Sequence, residues 1–502
     1  MFNSHLEQIK IMKNKSKYSL SIKTLFTIFI QLITSGVCFG QARTEKIEEL
    51  MHYSYQTGQF NGAVMVAEHG KIIYSKGFGL ANMDWDIPNQ ATTKFRLGSI
   101  TKQFTALLIL QLVEQGKIKL SEPIRTYLPD YPKSAGSKVT IHHLLSHSSG
   151  IRDYTTLSSF RNGGNQKAYT PAALIKLFSE LPLDFTPGQK YSYSNSGYVL
   201  LGYIIEKVSG KTYSQCLQES ILSPLKMINT GYEYSDSIIQ NRANGYDVNR
   251  KKFSNAAYIN MDATYAAGAL YSTTEDLFLW DQALYSTQLL SSKSMDLLFT
   301  QHIPVDKNSS YGYGWFVGDV SNVTEGKLRV VQHSGSLPGF VTRVSRMPAD
   351  KNLIILLNNT SSAPLREISD AIRSILYNKP YSLPKLSFAK LILEVMRNEG
   401  LSSGVEKIKE FKNSNLYTIY EIDINEAGYQ LLQSGKVKEA IEVLKLNLEV
   451  FPRSGNAYDS LAEAYLKDGN KEKAILNYKK AVELDSKNKN AKKMLKKISK
   501  LM

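Results

Sequence analysis

Thr93-Lys94-Phe95-Arg96-Leu97-Gly98-Ser99-Ile100-Thr101-Lys102-Gln103-Phe104-Thr105-Ala106 is the stretch on which the fold turns, because it sets a serine hydroxyl and a lysine amine three residues apart. On a helix, positions three apart share a face, so Ser99 in the first turn and Lys102 one turn later come within reach of each other. A serine hydroxyl attacks a carbonyl usefully only when something removes its proton, which makes Ser99 the candidate nucleophile and Lys102 a candidate base. To accept a proton near neutrality a lysine must fall from about 10.4 by roughly 3 pH units, a difference of about 4 kcal/mol that takes burial or nearby positive charge. Alone the motif says little, since Ser-x-x-Lys recurs at Ser223, Ser382, Ser387 and Ser486.

Two further polar triplets follow it in a chemically sensible order, Tyr193-Ser194-Asn195 and His333-Ser334-Gly335, the second after the apolar, strand-like Leu328-Arg329-Val330-Val331. The ordered set resembles the serine β-lactamase and penicillin-binding-protein superfamily, in particular its class C-like branch, and the Ser-x-x-Lys element has a known place there. The surrounding text agrees. Thr140-Ile141-His142-His143-Leu144-Leu145-Ser146-His147-Ser148-Ser149-Gly150 resembles that branch's "HLLTHTSG" segment, and Tyr191 to Tyr198, Ala267 to Thr273 and Tyr311-Gly312-Tyr313-Gly314-Trp315 match as well. The likeness runs from about residue 44 to about 378. His143 and His147, four apart, could be drawn as metal ligands on a helix face, but no third ligand is evident and no metal or cofactor is expected.

The resemblance implies an α+β fold in which an antiparallel sheet flanked by helices faces a helical region, with the site between them. It also implies roles. Tyr193 either acts as the base in place of Lys102 or returns the proton to the leaving group, with Lys102 and His333 stabilising its anion. Asn195 would hold Lys102 and a substrate amide, and the backbone N–H groups of Ser99 and Ser336 would stabilise the oxyanion. Gly335 would let the substrate backbone approach closely, and the strand edge suits an extended peptide-like ligand. His333, usually lysine in class C β-lactamases, would supply charge to a substrate carboxylate only part of the time, with a pKa near roughly 6.5. The implied activity is hydrolysis of peptide, amide or ester bonds through an acyl-Ser99 intermediate, of the DD-peptidase, D-amino-acid peptidase or esterase type, with β-lactams as weak substrates. The alternative is a penicillin-binding or peptidoglycan-sensing protein that acylates without turnover.

Outside that region the chain has its own signals. Lys10, Lys13, Lys15, Lys17 and Lys23 precede an apolar run from Leu25 to Val37, which reads as a secretory signal over residues 1–40 and a secreted or periplasmic location. Its removal leaves Cys216 alone, without a disulfide partner. Tyr377 to Pro384 opens a linker, placed at residues 379–390. Beyond it Gly435 and Gly469, Ala440 and Ala474, and Val450 and Leu484 recur at 34 residues, so residues 391–502 are read as an all-α tetratricopeptide-like region. Within it, Leu391 to Phe411 reads as a degenerate first unit and Ala491 to Ile498 as a capping helix. With about three units needed for a stable stack, the region is expected to pack on itself, dock on the hydrolase or take a protein partner. The net charge of +16 is concentrated late, with twelve lysines against five acidic residues from Leu461 onward. They are spread along helices rather than clustered with aromatics, which suits a solvated face or peripheral attraction to an anionic cell envelope rather than nucleic acid.

Overall fold

The computed structural model describes residues 42–249, 252–321, 323, 326–387, 395, 400, 403, 406, 410, 417–418 and 420–499. Residues 1–40, read from the sequence as a secretory signal, lie outside the described residues, as does most of the stretch from Leu391 to Phe411. The chain divides into two compact units at Leu383/Pro384.

The first unit is organised by an antiparallel sheet of eight strands: β1 (Gly62–Glu68), β2 (Lys71–Phe78), β3 (Ile303–Pro304), β4 (Ser309–Tyr311), β5 (Phe316–Val320), β6 (Leu328–Leu337), β7 (Phe340–Met347) and β8 (Asn352–Asn358). Their spatial order is β3-β4-β5-β6-β7-β8-β1-β2. The first hairpin is fixed by its turn. His69 and Gly70 both have positive φ, 51° and 75°, which a two-residue loop matched to the strand twist requires. The central strands read as unbroken apolar runs because both of their faces are covered. In β1 and β8, Ala63, Met65, Leu353, Ile355 and Leu357 join one core, while Val64, Val66, Ile354 and Leu356 join another. Period-2 alternation thus serves two layers at once.

On the second of these faces lie α1 (residues 42–56), through Ile47, Leu50 and Met51, and a later amphipathic helix, Leu365–Leu376, through Ile368, Ile372 and Ile375. The first face carries the helical region: α2 (Thr101–Glu114), α3 (Asn195–Ser209) and α4 (Thr274–Ala283). With those labels the 365–376 helix is α5. Trp280 of α4 stacks on Phe104 of α2 at 4.2 Å between ring centroids, and its indole N–H donates to Gln103 Oε1 at 3.0 Å. The same helix is pinned to the sheet by an ion pair between Asp281 and Arg346 of β7, with side chains 0 % and 1 % exposed. Burial pushes the Asp281 carboxyl up from its usual range even though Arg346 pulls it down.

The α+β architecture agrees with the sequence, as does the strand read at Leu328–Val331, which opens β6. Three strands it did not anticipate, β3 to β5, extend the sheet at its far edge, and α1 is a further addition. Cys216 is buried beside Ser209, whose hydroxyl lies 3.2 Å from its sulfur.

The second unit contains α6 (Glu421–Gln433), α7 (Val437–Val450), α8 (Gly455–Lys467), α9 (Lys471–Leu484) and α10 (Lys489–Ile498). Both ends of α6 and α7 recur in α8 and α9 at 34 residues. Gly435 and Gly469 end their helices with φ of 76° and 83°, in the left-handed region that favours glycine after a helix. Ala440, Ala462 and Ala474 are fully buried where helices approach closely, and Ala491 and Ile498 of α10 close the same core.

The Asp281–Arg346 pair yields a stability prediction. Replacing Asp281 with Ala leaves a buried guanidinium uncompensated and should lower the unfolding free energy by about 3–5 kcal/mol, whereas Asp184→Ala at the exposed, solvent-screened Arg152–Asp184 pair should leave stability nearly unchanged. Urea denaturation at constant m-value measures both.

Candidate active site

Ser99 sits in a tight 3-10 turn, Gly98–Ile100, that runs directly into α2 at Thr101. Gly98 has φ +57°, a conformation that leaves the turn closed against β6: a Cβ built there would lie 2.9 Å from the Ser336 nitrogen. The contact is reciprocal. A Cβ on Gly335 would lie 1.9 Å from the Leu97 carbonyl oxygen and 2.6 Å from Thr342 Oγ1, and Thr342, paired with Gly335 across β6 and β7, donates to that same carbonyl at 2.7 Å. Gly335 therefore serves the protein's own close approach of strand to nucleophile turn, where the sequence suggested approach by substrate.

Lys102 is fully buried on α2. Its Nζ donates to Asn195 Oδ1 at 2.8 Å and to the Ala267 carbonyl at 2.8 Å, and lies 3.0 Å from Ser99 Oγ. Two partners are pure acceptors, so they use two N–H bonds. What remains on the nitrogen faces Ser99: a third N–H in the ammonium, a lone pair able to receive the Ser99 proton in the amine. Burial brings Lys102 down to about 7, with Asp153 pulling in the opposite direction. Asn195 is oriented by the same network, since its Nδ2 donates to Asp153 Oδ2 at 3.0 Å. The amide is thus held at both ends by protein, Lys102 on one and Asp153 on the other.

Tyr193 precedes α3 and turns its hydroxyl inward, where it is buried and meets no partner within hydrogen-bond geometry. Burial raises it well above the ordinary tyrosine range, while the nearby Ser99 hydroxyl acts to lower it. Its ring lies 4.9 Å from Lys102 Nζ. His147 positions it. The His147 carbonyl accepts from the Ser192 N–H at 2.8 Å, Nδ1 accepts from the Ser194 N–H at 3.1 Å, and the imidazole lies 4.1 Å from the Tyr193 ring. Acceptance at Nδ1 puts the His147 proton on Nε2, and burial holds the ring neutral by pushing its pKa well below the usual value.

His333 departs from expectation. It is 2 % exposed, Nδ1 donates to the Ser334 carbonyl at 2.7 Å, and Nε2 therefore accepts from the Tyr311 hydroxyl at 3.0 Å. Burial and the neighbouring Lys102 push it down to about 3. With both nitrogens engaged and no charge near neutrality, it offers neither a cation to a substrate carboxylate nor support to a tyrosinate. The cause is strand alternation: His333 and Gly335 point into the core, Ser334 and Ser336 outward.

Ser99, Asn195, Ser336 and Gly268 line an open cleft of about 470 Å3 with Thr155, Arg161, Asn165 and Ile259 on its other walls. Of the residues singled out in sequence, Ser99, Lys102, Asn195 and Tyr193 converge, Ser336 and Gly335 pack against the nucleophile turn, and His333 stands behind. Sequence reasoning missed Asp153, the Ala267 carbonyl and the Tyr311–His333 link. Asp153 lies just past the Ser149-Gly150 segment, at no fixed spacing from the residue it orients. Among the described residues no group of three or more His, Cys, Asp or Glu converges as a metal site.

Known proteins share this arrangement of fold and chain. A family model described as Beta-lactamase matches residues 44–378. "Penicillin-binding protein 4*" of Bacillus subtilis is 31% identical over 443 residues, 82% of this chain and 91% of that one. Among solved structures, a penicillin-binding protein from Bacillus halodurans superposes with a TM-score of 0.58 at 26% identity, over 65% of this chain and 98% of that one. A D-stereospecific amidohydrolase from Streptomyces sp. does so at 0.53 and 26% identity, over 62% and 92%.

Two predictions follow from the geometry. Because Lys102 must be neutral to take a proton, Ser99 acylation should rise with pH through a midpoint near 7 and fall about tenfold per pH unit below it; Asp153→Asn, which removes the anion holding the amine's proton, should move that midpoint to lower pH. Rates of covalent labelling between pH 5 and 9 read both. Gly335→Ala should destabilise the protein by about 1–3 kcal/mol through overpacking and slow acylation, seen in thermal unfolding and labelling of the same sample.

Proposed function

Since this chain belongs to the beta-lactamase family, whose members are serine hydrolases, we propose that it hydrolyses a peptide, amide or ester bond through an acyl-Ser99 intermediate. The observation that carries this reading is the Lys102 amine, buried, brought to about 7, and aimed at the Ser99 hydroxyl by two fixed acceptors.

In this mechanism neutral Lys102 takes the Ser99 proton as Oγ bonds to the substrate carbonyl carbon. The carbonyl oxygen becomes the oxyanion and is met by the backbone N–H groups of Ser99 and Ser336, fixed beforehand by the Gly98 and Gly335 contacts. When the tetrahedral species collapses, the leaving group departs with a proton from the Tyr193 hydroxyl, which Lys102 replaces. Tyr193 suits the role of donor because burial keeps it protonated. Water then attacks the acyl-Ser99 carbonyl as Lys102 receives its proton; the second tetrahedral species collapses, the bond to Oγ breaks, Lys102 returns the proton to Ser99 and the acid product leaves. Lys102 is the base in this scheme and Tyr193 the acid. A preference for D-residues next to the scissile bond, of the kind named for the Streptomyces amidohydrolase, is part of the proposal, with β-lactams as slow substrates.

The reading extends to the flanks. Residues 1–40 direct export to a secreted or periplasmic location, and the C-terminal helices are tetratricopeptide-like repeats that take a protein partner. Their 34-residue recurrence in helix ends, left-handed glycines and buried alanines supports the latter.

The test is intact-protein mass over time with a penicillin, a D-Ala-D-Ala peptide and a short-chain ester. The expected result is a transient adduct with accumulating product, absent in Ser99→Ala, and acylation slowed by about 10²–10⁴-fold in Lys102→Met. A persistent adduct without product would replace the hydrolase with a sensor, and labelling that survives Ser99→Ala would discard the nucleophile.

A further inference from the structure

His333 is neutral and occupied, and Lys102 is committed to Ser99, so neither offers a cation to a substrate. Among the described residues that line the cleft with Ser99, Asn195 and Ser336, one carries a formal charge: Arg161. It stands at the end of a single helical turn, Ser158–Arg161, with its side chain reaching back into the cleft wall.

Arg161 is held in place rather than hanging free. Its Nε donates to the Thr155 carbonyl at 3.1 Å, which fixes one edge of the guanidinium plane. Thr155 belongs to the turn that holds Asn195: its N–H donates to Asp153 Oδ1 at 3.0 Å, and its hydroxyl oxygen lies 3.5 Å from Asn195 Nδ2. Asn195 in turn contacts Lys102, which contacts Ser99. The guanidinium is therefore tied to the nucleophile through three residues. The loop that carries it is closed onto the opposite wall as well, by the Asn260 N–H donating to the Asn165 carbonyl at 2.9 Å. Among the described residues no aspartate or glutamate forms an ion pair with Arg161, whose exposed side chain lines the cleft with its remaining N–H donors unengaged by a carboxylate of the protein.

A guanidinium with one edge fixed and its other donors open matches a carboxylate in geometry and charge. We propose that Arg161 is the anchor for a carboxylate on the substrate, making this cleft selective for an anionic acyl or leaving group next to the scissile bond. The inference rests on the hydrolase reading above. In it, the charge that a lysine at the position of His333 would supply from β6 is supplied from the loop before α3.

Two matched pairs of activated esters test it and separate the two placements of the charge. In one pair the leaving group ends in a carboxylate or in its primary amide; in the other the acyl group does. The expected result is that the unmodified protein prefers the carboxylate member of one pair by about tenfold to a hundredfold in kcat/KM, mainly through KM, as hydrogen bonds to a charged group imply. Arg161→Gln should bring that ratio close to one, Arg161→Lys should restore part of it, and added salt should reduce it. A ratio near one for both pairs in the unmodified protein, or a ratio that Arg161→Gln leaves intact, overturns the anchor while turnover of the esters keeps the Ser99 chemistry standing. Failure of the unmodified protein to cleave any of the four esters, with no adduct on Ser99, overturns the hydrolase reading and the anchor with it.

Discussion

An amine taken out of water is the constraint around which the site is arranged. Lys102 sits fully buried on α2, where the charged form loses its hydration and the neutral form gains in proportion. Left alone in such a place the nitrogen would also lose its hydrogen bonds. Asn195 and the Ala267 carbonyl supply them, and by occupying two positions on nitrogen they aim the third at Ser99. The Asp153 carboxylate, reached through the Asn195 amide, opposes the shift and keeps the amine near neutrality. Burial, orientation and counter-charge are three separate requirements, and each is met by a different part of the chain.

The aromatic wall around Tyr193 follows from the same need to exclude water. His147 touches the Tyr193, Tyr198 and Tyr311 rings and uses both its backbone and its Nδ1 to hold the residues on either side of Tyr193. Its own φ of +56° is the backbone strain that accompanies this double grip. Behind it, Tyr311 and His333 satisfy each other, so the late histidine becomes part of the wall. Electrostatics then differ from those of a site with lysine in that place: the wall behind Tyr193 is uncharged near neutrality, and the cationic contribution to the open cleft comes from Arg161.

The backbone packing that makes this possible is close to the steric limit. Gly98 and Gly335 meet where the nucleophile turn touches β6, and Thr342 locks the Leu97 carbonyl between them. Both N–H groups assigned to the oxyanion belong to residues that directly follow these glycines, so the donors are fixed by main-chain contact rather than by mobile side chains.

Much of this was legible in the residues. The His69-Gly70 turn, the apolar runs of β1 and β8 and the amphipathic α5 announce themselves because hairpin geometry and side-chain periodicity are local properties. Ser99 and Lys102 were paired by helix spacing alone, and Asn195 by the order of the motifs. The short strands β3 to β5 were not visible, since two to five residues carry too little periodicity to stand out. The local sequence therefore determined the candidate nucleophile, the lysine paired with it and the sheet on which they rest. Tertiary structure decided which groups are charged and which face the substrate: His333 lost its charge to burial, Gly335 was used by the protein's own backbone, and Asp153 and Arg161 entered the site through contacts that no sequence spacing encodes. Desolvation and through-space contact depend on what the whole chain brings to a point, and that is fixed only when the chain is folded.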